Sequence, residues 1–292
     1  SDNPQTVSSP CTLFDHTEPR PLERAAKGCA MLLEPIQYGL GGLSGGLVGF
    51  TLGLFGGGGS ILAVPLMVYM VGVPNPHLAI GTSAFAVAVN AFANLLGHAR
   101  FGNVKWRCAG LYSLAGIMGA FVGSSIGKMI DGQHLLILFA LLMLVVGALM
   151  FIRRGEEGDP NAQCSRENAP KVIAFGGLTG AFSGFFGIGG GFLIVPGLIA
   201  ATGMPILSAV GSSLLAVTAF GLTTSLNYAY SGLVDWGLAI VFIGGGVVGG
   251  LLGALAARKL ATRKGALNTV FALLLFVVAG YMLLKAYEQL TI

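Results

Sequence analysis

One stretch of this chain occurs twice, and that constrains the fold more than any other feature. Gly53-Leu-Phe-Gly-Gly-Gly-Gly-Ser-Ile-Leu-Ala-Val-Pro65 returns as Gly184-Phe-Phe-Gly-Ile-Gly-Gly-Gly-Phe-Leu-Ile-Val-Pro196. The match runs back to Gly46 on Gly177 and forward, past a one-residue gap, to Gly81-Thr-Ser83 on Gly211-Ser-Ser213, ending at Trp106 on Trp236. The identities fall mostly on glycine, proline and small residues, where backbone geometry rather than bulk is specified. The chain therefore holds two copies of one unusual backbone feature.

The medium follows from composition. With 54% hydrophobic and only 10% charged residues, and a mean hydropathy of +0.80, the sequence belongs to a lipid bilayer. Several apolar runs approach or reach the roughly 20 residues that a membrane helix needs. They are continuous rather than alternating, which excludes a barrel and predicts an all-α, polytopic fold. The +4 formal charge sits in short loops beside the spans, so it is a topology signal and not a nucleic-acid footprint.

Each half is expected to hold about five membrane segments. In the first membrane repeat, residues 36–152, the runs are Ile36–Phe55, Ser60–Val73, Leu78–Leu96, Cys108–Gly127 and Leu135–Ile152. In the second, residues 172–292, they are Val172–Phe186, Gly191–Gly203, Ile206–Tyr230, Gly237–Ala257 and Ala266–Lys285. The hydrophilic linker 153–171 joins them, and residues 1–35 form a tail with room for a short interfacial helix. The run after each glycine motif is short: about 14 residues, roughly 21 Å as a helix, which predicts a half-helix or broken helix.

An odd number of segments turns the second repeat over, giving inverted topology. If one short segment fails to cross, the repeats become parallel. The side holding the 100–107, 153–171 and 258–264 loops carries about eleven Lys and Arg against about five opposite, so it is expected in the cytoplasm with both termini outside.

Apart from Lys285 at the very end of the last run, no Asp, Glu, Lys or Arg falls in an apolar run, so a substrate here has to be held mainly by neutral groups. The strongest neutral device is the start of a buried helix, where free N–H groups and the positive dipole end hold an anion. Gly57, Gly58, Gly59 and Ser60, with Gly189, Gly190 and Gly191 of the second copy, are the candidates. Two such starts related by an inverted twofold would point at one another near mid-membrane. The competing explanation is that the glycines only let helices cross closely.

Thr82, Ser83, Ser212 and Ser213 add two hydroxyls per half, as ligand donors or as groups bonded back to their own helix. Asn90, Asn94 and His98 share one helical face and would line a cavity or an interhelical contact. His98 and Arg100 are candidates for gating or coupling, although an interfacial role explains His98 as well. The corresponding second-half stretch, Thr223 to Tyr228, is polar but lacks a cation. Gly116, Gly119 and Gly123 recur as Gly246, Gly249 and Gly253, small-residue spacing that permits close packing or a possible homodimer. The four dispersed cysteines form no metal or redox pattern, and no cofactor or nucleic acid is expected.

These paired motifs, with Gly81-Thr-Ser83 and Gly211-Ser-Ser213 behind them, resemble the TauE/SafE family of sulfite and organosulfonate exporters, from about Gly39 to Leu284. The resemblance implies a secondary transporter of bacterial inner membranes that exports sulfite or a small sulfonate such as sulfoacetate. Importing sulfate or thiosulfate is the alternative within transport. A non-transporting scaffold or sulfur-relay subunit is the alternative outside it. An enzyme is least favoured, for want of an embedded nucleophile and base.

Overall fold

A computed structural model describes residues 35–152, 168–187, 191–260 and 266–291. The N-terminal tail, most of the linker, and residues 188–190 of the second glycine motif lie outside the described residues. Every described element is helical. The first half contains α1 (Pro35–Phe55), a broken helix α2, α3 (Pro76–Arg100), α4 (Trp106–Gly127) and α5 (Gly132–Ile152). The second contains α6 (Ala169–Phe186), α7 (Gly191–Thr202), α8 (Ile206–Tyr230), α9 (Trp236–Leu260) and α10 (Ala266–Thr291). All ten expected runs thus appear as helical segments.

Among the described residues six helical stretches are long and apolar enough to cross a membrane: Ile36–Met70, Pro76–Arg100, Trp106–Gly127, Gly132–Leu149, Ile206–Tyr230 and Trp236–Ala257. The first is not one straight rod. It joins α1 to α2, and Gly56, at φ +64°, turns the chain back between them. The α2 segment then runs as a 3₁₀ stretch Gly56–Leu62, a single α turn Ala63–Pro65 and a π stretch Leu66–Met70. Thr51 Oγ1 donates to Gly59 O (3.1 Å), Ser44 Oγ to Met70 Sδ (3.5 Å) and Gln37 Nε2 to Val71 O (3.2 Å). Contacts that step backward along α1 as they step forward along α2 describe a hairpin, so Gln37 and Val71 lie at the same end. The short run expected to be a half-helix is therefore the return arm of this hairpin.

Packing between the halves is reciprocal. Helix α1 packs on α9 and α4 on α6, while α3 packs on α8, α5 on α10 and α2 on α7. The contacts α1–α9 and α4–α6 are counterparts of one another, and in the other three pairs like segments meet. Glycine makes the closest of these approaches possible. A Cβ at Gly49 would overlap the Gly246 main chain, and one at the equivalent Gly180 would overlap that of Gly116. Contacts advance together along both helices of each pair (Gly45 with Phe242, Gly49 with Gly246, Gly53 with Gly250), so α1 and α9 run parallel. Helices α3 and α8 run antiparallel: a Cβ on Gly81 would sit 3.0 Å from Tyr228 Cβ, whereas Gly211 faces Asn103.

Gly116, Gly119, Gly123, Gly246, Gly249 and Gly253 are consumed in these intrachain contacts. The small-residue stripes accordingly supply no dimer face. On the outward sides of the same helices stand large apolar residues, among them Leu114 at 67%, Met118 at 69% and Leu251 at 66% exposure. Such a belt would be a liability in water and is the expected face toward hydrocarbon. The molecule is a multi-pass membrane protein.

Candidate functional site: the junction of the glycine motifs

The two glycine motifs meet. A Cβ on Gly191, at the start of α7, would overlap the carbonyl and Cα of Gly57, so the two backbones touch with no side chain between them. Gly56 to Ser60 are all buried. Gly56 and its equivalent Gly187 (φ +68°) both have the left-handed conformation that a side chain disfavours. Each copy therefore uses glycine for a turn at one residue and for close approach at others.

The amide of Gly57 is occupied. It donates to Ser213 Oγ (3.1 Å), and Ser213 in turn donates to Val210 O (2.8 Å). Ser60 Oγ donates to Gly57 O (2.9 Å), closing the turn from inside. A Cβ on Gly58 would meet the Phe271 ring at 2.6 Å, and one on Gly59 would overlap the main chain of Thr51 and Leu52. The expected cluster of open N–H groups is thus a compact junction, in which a neutral hydroxyl sits on the amide that an anion was expected to use. Gly189 and Gly190 lie outside the described residues.

Of the other hydroxyls, Ser83 bonds back to Ile80 O (3.1 Å). Thr82 Oγ1 accepts from Asp235 N and Ser212 Oγ accepts from Lys105 N, both at 2.9 Å. These two bonds are equivalent across the repeats. Each uses a hydroxyl of one half to satisfy an amide just before the fourth helix of the other, which stabilises a helix start by roughly 0.5–2 kcal/mol. Sequence reasoning could not find this role, because the partners are more than a hundred residues apart.

The stripe on α3 lies inside the protein. Asn90 is 0%, Asn94 7% and His98 4% exposed. Asn90 and Asn94 face Gly246 and Gly250 of α9. Asn94 Nδ2 donates to Asn90 O (2.9 Å), but among the described residues the Asn90 side-chain amide has no partner, and His98 has only the Gly53 main chain in reach. An unpartnered buried polar group costs about 1–3 kcal/mol, so its retention calls for a use beyond packing. Arg100 is exposed in the last turn of α3. It is not drawn into this buried stripe.

The equivalent positions on α8 are Phe220, Thr224 and Tyr228. Thr224 Oγ1 and Tyr228 Oη are likewise buried without partners. This stretch carries no cation of its own, but tertiary structure brings one to it: Lys128, just past α4, donates to Asn227 O (3.1 Å), Asn227 Oδ1 (2.8 Å) and Ser231 Oγ (3.0 Å). The only available signal was the repeat alignment, which sets Tyr228 on His98. Among the described residues no group of three or more His, Cys, Asp or Glu could hold a metal ion.

Comparison with known proteins places the chain in a family. The sulfite exporter TauE/SafE family matches residues 42–282. A probable membrane transporter protein of Xylella fastidiosa (strain Temecula1 / ATCC 700964) is 58% identical over 250 residues, covering 85% of this chain and 95% of the relative. A probable membrane transporter protein of Haemophilus influenzae is 30% identical over 264 residues (83% and 97%). The probable membrane transporter protein YunE of Bacillus subtilis is 25% identical over 245 residues (76% and 88%). No solved structure matches the chain. With a family match across most of its length and a relative that shares more than half its residues, this chain belongs to the TauE/SafE family of membrane transporters.

Proposed function

We propose that this protein is a secondary transporter, not an enzyme, exporting a small sulfur-containing anion across the inner membrane of a bacterial cell. The substrate is sulfite or an organosulfonate such as sulfoacetate. Two membrane repeats, 36–152 and 172–292, joined by the linker 153–171, lie in the bilayer with opposite orientation and rock about the anion. Support for that orientation comes from the antiparallel crossing of the equivalent helices α3 and α8, and from the exchanged pairs α1–α9 and α4–α6. A twofold relation requires both. The α1–α2 hairpin supports the same reading. It starts and ends on one face whether or not its tip reaches the other, leaving an odd number of full crossings, α3, α4 and α5, in the first half.

The observation that carries the substrate class is the Gly57 amide donating to Ser213 Oγ where the two motifs touch. In this closed arrangement the hydroxyl oxygen holds the place of a substrate oxygen. A charged oxygen makes the stronger bond to the same N–H and displaces it, with Gly58, Gly59, Ser60, Gly189, Gly190 and Gly191 providing the surrounding backbone. Asn90 and Asn94 line the approach on one side. Ser83, Thr82 and Ser212 hold the frame around it, and His98 with Arg100 controls entry. Expelling an anion from a negative interior is downhill by roughly 2.3 kcal/mol per charge per 100 mV, so no carboxylate relay is needed.

Flux from proteoliposomes loaded with sulfite, sulfoacetate or taurine tests this. Sulfite or sulfoacetate should leave by a saturable route that zwitterionic taurine does not follow. Preference for a cation over every anion offered would sink the assignment.

A further inference from the structure

Lys128 reaches from the end of α4 in one half to the end of α8 in the other. An ammonium has three donors, and all three are used on Asn227 O, Asn227 Oδ1 and Ser231 Oγ, none of them a carboxylate. The charge is held in place without being neutralised. Asn227 is itself fixed, since its Nδ2 donates to Ser124 Oγ (2.6 Å) and Ser125 Oγ (3.1 Å). The Lys128 Nζ lies 5.7 Å from the centroid of the Tyr228 ring. Tyr228 is 0% exposed, and its hydroxyl has no partner. The His77 ring lies 6.3 Å from that of Tyr228, and His77 Nδ1 is buried and unpartnered. Three chain segments from both halves thus bring together a fixed cation, an orphan phenol and an orphan imidazole.

A purely mechanical latch accounts for the three Lys128 bonds. It does not account for a cation that has no counter-charge among the described residues and stands beside two idle hydrogen-bonding groups. We propose that Lys128, Tyr228 and His77 form a second anion site, at one mouth of the transporter, that takes a small oxyanion such as sulfite. The anion replaces Ser231 on the ammonium. Ser231 is exposed and turns to water, while an anionic acceptor replaces a neutral one on the ammonium. Tyr228 donates its hydroxyl to the anion, and His77 donates through Nδ1. Because Tyr228 is equivalent to His98, the site gives the two mouths different chemistry. The identity of the anion rests on the export reading above; binding at this place does not.

Equilibrium binding of radiolabelled sulfite to the protein in nanodiscs, together with sulfite flux in proteoliposomes, tests the site. Tyr228→Phe keeps the ring and every Lys128 bond, so it is the decisive variant; Lys128→Gln removes the charge. Each should weaken sulfite binding at this site and raise the half-saturating sulfite concentration about tenfold, and Lys128→Arg should restore most of it. Gly39→Ala, whose methyl meets nothing within 4 Å, should leave this binding in place. Loss of binding in Tyr228→Phe in a protein that transports no anion would refute export and keep the site. Unchanged sulfite binding in Tyr228→Phe would overturn the proposal, including the case where Lys128→Gln merely lowers the melting temperature, since that outcome describes a latch and nothing more.

Discussion

Helices α3 and α8 begin alike and end differently. Near their starts, Gly81 and Gly211 receive the same loop of the opposite half, and Thr82 and Ser212 bond the same amide of it. Two to four turns later Asn90, Asn94 and His98 stand where α8 has Phe220, Thr224 and Tyr228. The shared part is the frame, set by glycine and capping hydroxyls whose partners are backbone. The divergent part is the lining, which has no such constraint. Amides and an imidazole on one helix, and a phenol with a fixed cation beside the other, make the two linings chemically distinct.

The comparison can be broken at several depths. The largest effect is expected at the contact the halves share. Gly191→Ala drives a methyl into the Gly57 main chain, which no rotamer relieves, so monodisperse yield and flux should both collapse, with a packing penalty of about 1–3 kcal/mol or more. Gly39→Ala, with nothing within 4 Å, is the control and should behave as wild type.

Next comes the difference between the linings. Asn90→Leu removes an unpartnered buried amide and should raise the melting temperature while lowering flux about tenfold, the signature of a polar group kept for use rather than stability. Phe220→Leu, at the equivalent place, should instead lower stability by about 1 kcal/mol and leave substrate preference unchanged. The smallest effect tests the shared frame. Thr82→Ala and Ser212→Ala should each cost about 1 kcal/mol in denaturant or thermal unfolding, and by similar amounts. A marked inequality between them would mean that the frame is less symmetric than the two 2.9 Å bonds imply.

Much of this architecture was legible in the sequence, because a repeat written in glycine reports backbone geometry directly. The paired motifs, the ten helical runs and the buried face of Asn90, Asn94 and His98 all follow from spacing. Spacing is blind to which element a residue meets. Thr82 and Ser212 read equally as ligand donors or as hydroxyls bonded back to their own helix, and neither reading names the Asp235 and Lys105 amides that the fold brings to them. Lys128 looked like a loop charge until α4 ended beside α8. The return of α2 along α1 was hidden as well, since a 3₁₀ stretch followed by a π stretch has no periodicity to read, and an apolar run shows its length but not its direction.

The central claim is that the junction of Gly57 and Gly191 holds the transported anion through backbone amides, with Ser213 keeping the place when the anion is absent. The most direct test is the amide resonance of Gly57 in nanodisc-embedded protein, titrated with sulfoacetate. The account predicts a saturable shift at Gly57 as the Ser213 bond is exchanged for the ligand, with the same midpoint as transport. A Gly57 resonance that stays fixed while sulfoacetate saturates transport would contradict it.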